Sequence, residues 1–181
     1  MTDSQAPGAP LPAAAASLLL ADLAATAALA GWAAARAVVR DVVALWGGLG
    51  MGKTEFARAF IRSRPGGAAM TEVPSPTFTL VQVYDLQPPI WHFDLYRLSR
   101  AEDAWELGIE EAFSDAISLI EWPDRLGGLL PASRLDIELT AGPAADSRRA
   151  RVTGHGDWAA RVDALAAGMP LAPGVASGTH A

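Results

Sequence analysis

The sequence predicts an α/β fold, a central mixed sheet with flanking helices and antiparallel hairpin additions, and three observations carry that prediction. An apolar run, DVVALW over 41–46, leads through a glycine-rich stretch into TEFARAFIR, where Phe56, Ala57, Phe60 and Ile61 recur at helical spacing. Two β-prone runs, TFTLVQVYDL over 77–86 and IWHFDL over 90–95, flank Gln87-Pro88-Pro89 and read as a hairpin. RLDIELT over 134–140 alternates apolar and polar residues and pairs with 149–153 as an edge hairpin.

The remaining elements follow from their end signals. Residues 1–15, rich in Ala and Pro, read as a disordered lead, and the stretch from 168 to 181 as a disordered tail. A single domain is expected over 16–167. It opens with a short strand, Ser17 to Leu20, and Asp22 offers an N-cap for a helix running to about Arg36. RPGGAA over 64–69 ends the helix that follows the glycine-rich stretch. Ser99 is placed to cap a helix over Ala101 to Leu107, with Glu102 three residues on, and Gly108 to Ser114 adds a further helical turn. AISLIEW over 116–122 reads as a buried strand stopped by Pro123, and a last helix spans about Trp158 to Ala167.

The glycine-rich stretch is GGLGMGKTEF. Its spacing of Gly47, four residues, Gly52, Lys53 and Thr54 is a complete P-loop pattern, and strand, loop and helix occur in the required order. In such a loop Gly47, Gly48, Leu49, Gly50, Met51 and Gly52 turn backbone N–H groups onto phosphate oxygens, Lys53 reaches the terminal phosphates, and the Thr54 hydroxyl holds Mg²⁺. Lys53 is also the only lysine, the other 13 Lys+Arg positions being arginine. A bias toward arginine explains the 13 but not the exception, whereas a P-loop favours a compact ammonium on a flexible stem. The fold class thereby sharpens to a P-loop NTPase.

Composition narrows the function. A formal net charge of −6 argues against a protein that grips nucleic acid through its own basic face. Arg148, Arg149 and Arg151 lie close together, but strand alternation sends neighbours to opposite faces, and the reading is a solvated strand. The absence of cysteine excludes disulfides and thiolate metal sites and makes a reducing cytoplasm the natural compartment. The Ala/Leu-rich stretch Pro12 to Val39 is broken by Asp22 and Arg36, and MTDSQ carries an acid where a secretory signal needs a basic region, so no membrane partner is expected. With no asparagine and one lysine, the NKxD guanine-reading element cannot be present, and ATP becomes the default nucleotide.

A P-loop needs acids at neighbouring strand ends, one for Mg²⁺ and one to position water. Asp94 in WHFDLYR and Glu121 in SLIEWP sit where apolar runs stop, and strand ends of an α/β sheet open onto the ligand crevice. The structural alternative for each is a cap or an ion pair, such as Asp94 with Arg97. His92 reads as a half-buried strand histidine rather than a catalyst, because phosphoryl transfer needs charge and positioning more than an imidazole. Ser75-Pro76-Thr77-Phe78-Thr79 either simply enters a strand or offers a hydroxyl, notably that of Thr77, to the metal or γ-phosphate.

Together GGLGMGKTEFARAFIR, SPTFTLVQVYD, WHFDLYRL, ELGIEEAFSD and SLIEWPDRL, in this order, resemble the TsaE family over about Leu20 to Leu139. HFDLYRL and EWP in company with the P-loop make the resemblance more specific than a Walker motif alone. It implies a bacterial P-loop ATPase needed for threonylcarbamoylation of adenosine 37 in tRNAs reading ANN codons. Gly47 to Thr54 would bind the phosphates, Thr54 and Glu121 would hold Mg²⁺, Ser75 to Thr79 would be a switch-like segment, and Asp94 would be the acid needed for hydrolysis. Trp122 would be the aromatic following the metal-binding glutamate, and Asp22 to Thr26 would border the adenine. The resemblance also implies TsaB and TsaD as partners, with tRNA reached through that complex and weak ATP hydrolysis by the chain alone. Two positions depart from the family pattern: Gly48 stands where an acid is usual and Glu55 where a second threonine is, which predicts weaker nucleotide affinity. Short of the resemblance, the residues leave open a small-metabolite kinase and a nucleotide-dependent adaptor without productive turnover.

Overall fold

The computed structural model describes residues 13–69 and 72–166. Among the described residues seven strands form one sheet in the order β1-β7-β6-β2-β5-β4-β3. They are β1 (Ala13–Leu20), β2 (Val42–Trp46), β3 (Val81–Tyr84), β4 (Ile90–Asp94), β5 (Ile117–Glu121), β6 (Arg134–Ala141) and β7 (Arg148–His155). Strands β6, β2, β5 and β4 run parallel, and β3, β7 and β1 are attached antiparallel. The parallel strands therefore end along a common edge, where a ligand crevice forms in such sheets. The helices are α1 (Leu23–Arg36), α2 (Lys53–Arg62), α3 (Ile109–Asp115) and α4 (Ala159–Ala166). Among the described residues no helix is long and apolar enough to cross a membrane.

Side-chain alternation divides the core in two. Leu29, Phe56, Phe60, Val43, Leu45, Leu119, Ile137 and Trp158 belong to one buried cluster, which joins α1, α2 and α4 to one face of the sheet. Val42, Phe93, Ile120, Ile109 and Leu126 form the second cluster on the opposite face. That second layer contacts strands β2, β5 and β4, and the same face of β6 and β7 carries polar side chains.

Several elements differ from the sequence expectation. Strand β1 begins at Ala13, so residues 13–15 of the expected lead are paired, with His155, Gly154 and Thr153 of β7. Ladder hydrogen bonds come from the backbone and override the poor β propensity of alanine. Because β1 lies outside β7, the β6–β7 hairpin is not at the sheet edge. The run 77–86 is a strand only over Val81–Tyr84. Thr77 to Leu80 form a turn closed by Leu80 N donating to Pro76 O at 2.6 Å, with Leu80 at φ +63°. The segment Ala101–Leu107 is a 3-10 helix capped at Arg100, not Ser99, because the Arg100 N–H finds the Asp103 carboxylate at 3.2 Å. Helix α4 starts at Ala159, with Trp158 in the preceding 3-10 turn. Residues 1–12 of the expected lead, residue 167 and the expected tail lie outside the described residues. Asp22 does cap α1, its Oδ1 accepting from Ala25 N at 2.8 Å.

Candidate functional site

The loop between β2 and α2 turns on glycines in conformations that other residues rarely adopt: Gly47 at φ +131°, Gly50 at +75° and Gly52 at +98°. Gly47 is doubly constrained, since a Cβ there would lie 2.4 Å from the Leu139 carbonyl oxygen of β6. The loop delivers Lys53 and Thr54 into the first turn of α2. Lys53 is 4% exposed, and its Nζ donates to Gly47 O at 2.6 Å and Gly48 O at 2.8 Å beneath the Trp122 ring, 3.9 Å from the centroid. Burial lowers the Lys53 pKa from its ordinary 10.5, against the attraction of Glu121, Asp94 and Asp124.

The two acids meet the loop because of strand register. Leu45 of β2 pairs with Glu121 of β5, and Glu121 pairs with Asp94 of β4, so both carboxylates occupy last strand positions on one face. Thr54 Oγ1 donates to Glu121 Oε2 at 3.0 Å. Asp94 Oδ2 accepts from Thr77 Oγ1 at 2.8 Å, Thr77 lies 2.8 Å from Ser75 Oγ, and Asp94 Oδ1 accepts from Tyr96 N at 3.2 Å. Asp94 is thus held by a hydroxyl and a backbone N–H, and Arg97 stacks on Phe78 instead, 4.8 Å from its centroid.

A cavity of about 290 Å³ gathers these groups, lined by Leu49 to Glu55, Thr77, Asp94, Tyr96, Glu121 and Trp122. Gly47 and Gly48 are not in this lining, and their carbonyls accept from Lys53 Nζ. A second cavity of about 360 Å³ lies between α1 and α2, where Leu23, Thr26 and Ala27 face Arg58, Arg62 and Ser63; Glu55 borders both cavities. The Glu55 carboxylate pairs with Arg58 one turn on, so the unexpected acid carries its own counter-charge.

The donors fit the groups a P-loop implies. A hydroxyl and a carboxylate oxygen side by side are the hard ligands that Mg²⁺ takes, usually one or two from protein with phosphates and waters completing the set. An ammonium and a positive-φ glycine loop ahead of a helix suit phosphates.

Sequence reasoning missed two participants. His92 is fully buried rather than half-buried and meets Glu121. Arg148 braces the loop from outside, donating to Met51 O at 3.3 Å and Gly50 O at 3.4 Å. Strand parity held the signal for the second, since it separates Arg148 from Arg149 and Arg151. The first needed the register of β4 against β5.

The family model "Threonylcarbamoyl adenosine biosynthesis protein TsaE" matches residues 20–150. A tRNA threonylcarbamoyladenosine biosynthesis protein TsaE of Rickettsia bellii is 43% identical over 100 residues, covering 55% of this chain and 68% of that protein. The namesake in Rickettsia conorii is 42% identical over 102 residues, covering 56% of this chain and 57% of its own length. The Bacillus subtilis namesake is 38% identical over 115 residues, covering 62% of this chain and 69% of its own length. The crystal structure of Bacillus subtilis YdiB superposes with a TM-score of 0.69 at 28% identity, over 86% of this chain and 97% of that one. With the family model spanning the phosphate loop, both strand-end acids and most of the sheet, the chain belongs to the TsaE family and has its P-loop NTPase fold.

Proposed function

We propose that this chain is a Mg²⁺-dependent ATPase that supports threonylcarbamoyladenosine formation at tRNA position 37, acting in the cytoplasm with the TsaB and TsaD transferase pair. The observation that carries the reading is the convergence of Lys53, Thr54, Asp94 and Glu121 on one cavity at the ends of parallel strands, in a chain of this family. Gly47 to Thr54 bind the phosphates, with Lys53 exchanging the Gly47 and Gly48 carbonyls for phosphate oxygens. Thr54 and Glu121 hold Mg²⁺, which neutralises phosphate charge when bound. Asp94, fixed by Thr77 and the Tyr96 N–H, keeps lone pairs free to orient the attacking water. The cavity between α1 and α2 suits the base, and its sharing of Glu55 with the first cavity supports that placement.

The net charge of −6 fits a subunit whose partners hold the tRNA. The test is Mg²⁺-dependent ATP turnover by wild type and Lys53→Ala, each alone and with the TsaB–TsaD pair. Turnover that rises strongly with the pair and disappears in the variant supports the reading. Indifference to the pair, or γ-phosphate transfer to a metabolite rather than water, overturns it.

A further inference from the structure

We propose that His92 is a positioning residue that fixes the Glu121 carboxylate so that its second oxygen faces Thr54 and the cation. The inference rests on the reading of Glu121 as a Mg²⁺ holder and deepens it. His92 and Asp94 lie two apart on β4 and so share the face toward α2, while Glu121 pairs directly with Asp94 and diagonally with His92. His92 Nε2 lies 2.9 Å from Glu121 Oε1, and Glu121 Oε2 accepts from Thr54 at 3.0 Å. One oxygen is anchored inside the sheet and the other is presented to the site.

The hydrogen-bonding pattern argues against simple packing. His92 is 0% exposed, between Ile90 and Asp94 on its own strand face and between Leu119 and Gln82 across, a site that desolvates a ring nitrogen unless it meets a hydrogen-bonding group. Its Nδ1 is buried and has no partner in the structure. The Nε2–H tautomer satisfies both facts: the donor meets a carboxylate, and only a lone pair is left unpaired. Among the described residues the bond to Glu121 is thus the one polar contact of the ring. It holds the carboxylate without neutralising it, whereas an arginine at this place would spend the charge a cation needs.

The experiment titrates Mn²⁺ by electron paramagnetic resonance onto the full-length chain saturated with ADP, alongside ADP affinity in EDTA. His92→Leu should weaken Mn²⁺ about tenfold or more, the range typical when a group orienting a metal ligand is removed, and leave metal-free ADP affinity unchanged. His92→Gln, whose amide can reach the place of Nε2, should restore Mn²⁺ affinity to within about threefold of wild type. In a Glu121→Ala background, His92→Leu should add no further loss. Wild-type Mn²⁺ affinity in His92→Leu, an equal loss in His92→Gln, or an undiminished effect in the Glu121→Ala background overturns the proposal. If the leucine variant does not fold, His92→Asn, a buried amide that ends short of Glu121, takes its place against the glutamine. Wild-type Mn²⁺ affinity in Glu121→Ala sinks the metal-holding reading and this proposal together. A defect in Glu121→Ala beside normal binding in His92→Leu sinks this proposal alone.

Discussion

Glu121 and Asp136 each lie 2.9 Å from a histidine Nε2, yet the side chains of the first pair are 3% and 0% exposed and those of the second 16% and 26%. Asp136 sits on β6, on the face opposite Leu135 and Ile137, beside a cavity of about 380 Å³ shared with Trp46, Arg151 and His155. Its two oxygens accept from Trp46 Nε1, from Arg134 twice and from His155. The guanidinium cancels its charge and the donors fill its lone pairs. Glu121 meets the His92 ring and the Thr54 hydroxyl, with no arginine bonded to it among the described residues and the single lysine nearby. The same acid–histidine contact therefore serves two ends: where arginine completes it, the pair ties strands together, and where arginine is absent, it leaves a charge able to attract a cation.

The comparison breaks most visibly at the cations. Lys53→Ala should reduce nucleotide affinity by about 2–3 kcal/mol, roughly 30- to 150-fold, as expected for losing charge-assisted hydrogen bonds to phosphate. Arg134→Ala should leave nucleotide affinity unchanged. Isothermal titration of both variants with ADP separates the two roles, and an equal loss in Arg134→Ala would show that the outer cluster also serves the nucleotide.

At the carboxylates the effects should cross over. Glu121→Ala should weaken Mg²⁺-dependent turnover while keeping the fold. Asp136→Ala should leave turnover in place but lower stability by about 1–3 kcal/mol, because Trp46, Arg134 and His155 lose an acceptor at once. Urea denaturation and turnover on the same two preparations check this. Loss of stability in Glu121→Ala alone would reverse the assignment.

A smaller effect is expected at Thr77. Thr77→Val removes the hydroxyl that donates to Asp94 at 2.8 Å but keeps the side-chain volume. Turnover should fall by about tenfold, equivalent to some 1.4 kcal/mol of transition-state stabilisation, with a midpoint in urea close to wild type. Unchanged turnover would mean that Tyr96 N alone orients Asp94.

How much of this was legible beforehand follows from the range of each interaction. The glycine-rich loop and the Asp22 cap rest on local spacing and lie where the pattern put them, and both hairpins form, the first with its leading strand cut to Val81–Tyr84 and the second inside β1 rather than at the edge. Asp94 and Glu121 could be found as strand-terminal acids, but their pairing across β4 and β5 depends on sheet order. His92 and Arg148 were misjudged for the same reason, since neither partner is near in sequence. Thr77 to Leu80 looked like strand because β-branched and aromatic residues favour it; the turn prevails there through the Pro76–Leu80 hydrogen bond and the tie of Thr77 to Asp94. The Ala13 to Ala16 segment carries almost no β signal and is a strand only because β7 offers it a ladder.

The smallest effect concerns proton linkage at Lys53. Because burial lowers its pKa below 10.5, the folded chain binds this proton less readily than the unfolded chain does. Between the lowered value and 10.5 the unfolded state therefore carries more protons at this site, and stability from Lys53 rises with pH across that window. Below the window both states are protonated and the lysine's cost is fully present. Tyr84, raised by burial against the pull of Arg58, acts oppositely in overlapping alkaline conditions, since its folded form resists ionisation. The difference between wild type and Lys53→Met removes that contribution, and only Lys53 should remain. Urea midpoints measured from pH 8 upward should show wild type gaining on Lys53→Met. A constant difference would mean that the carbonyls of Gly47 and Gly48, with Glu121 and Asp94, compensate the burial completely.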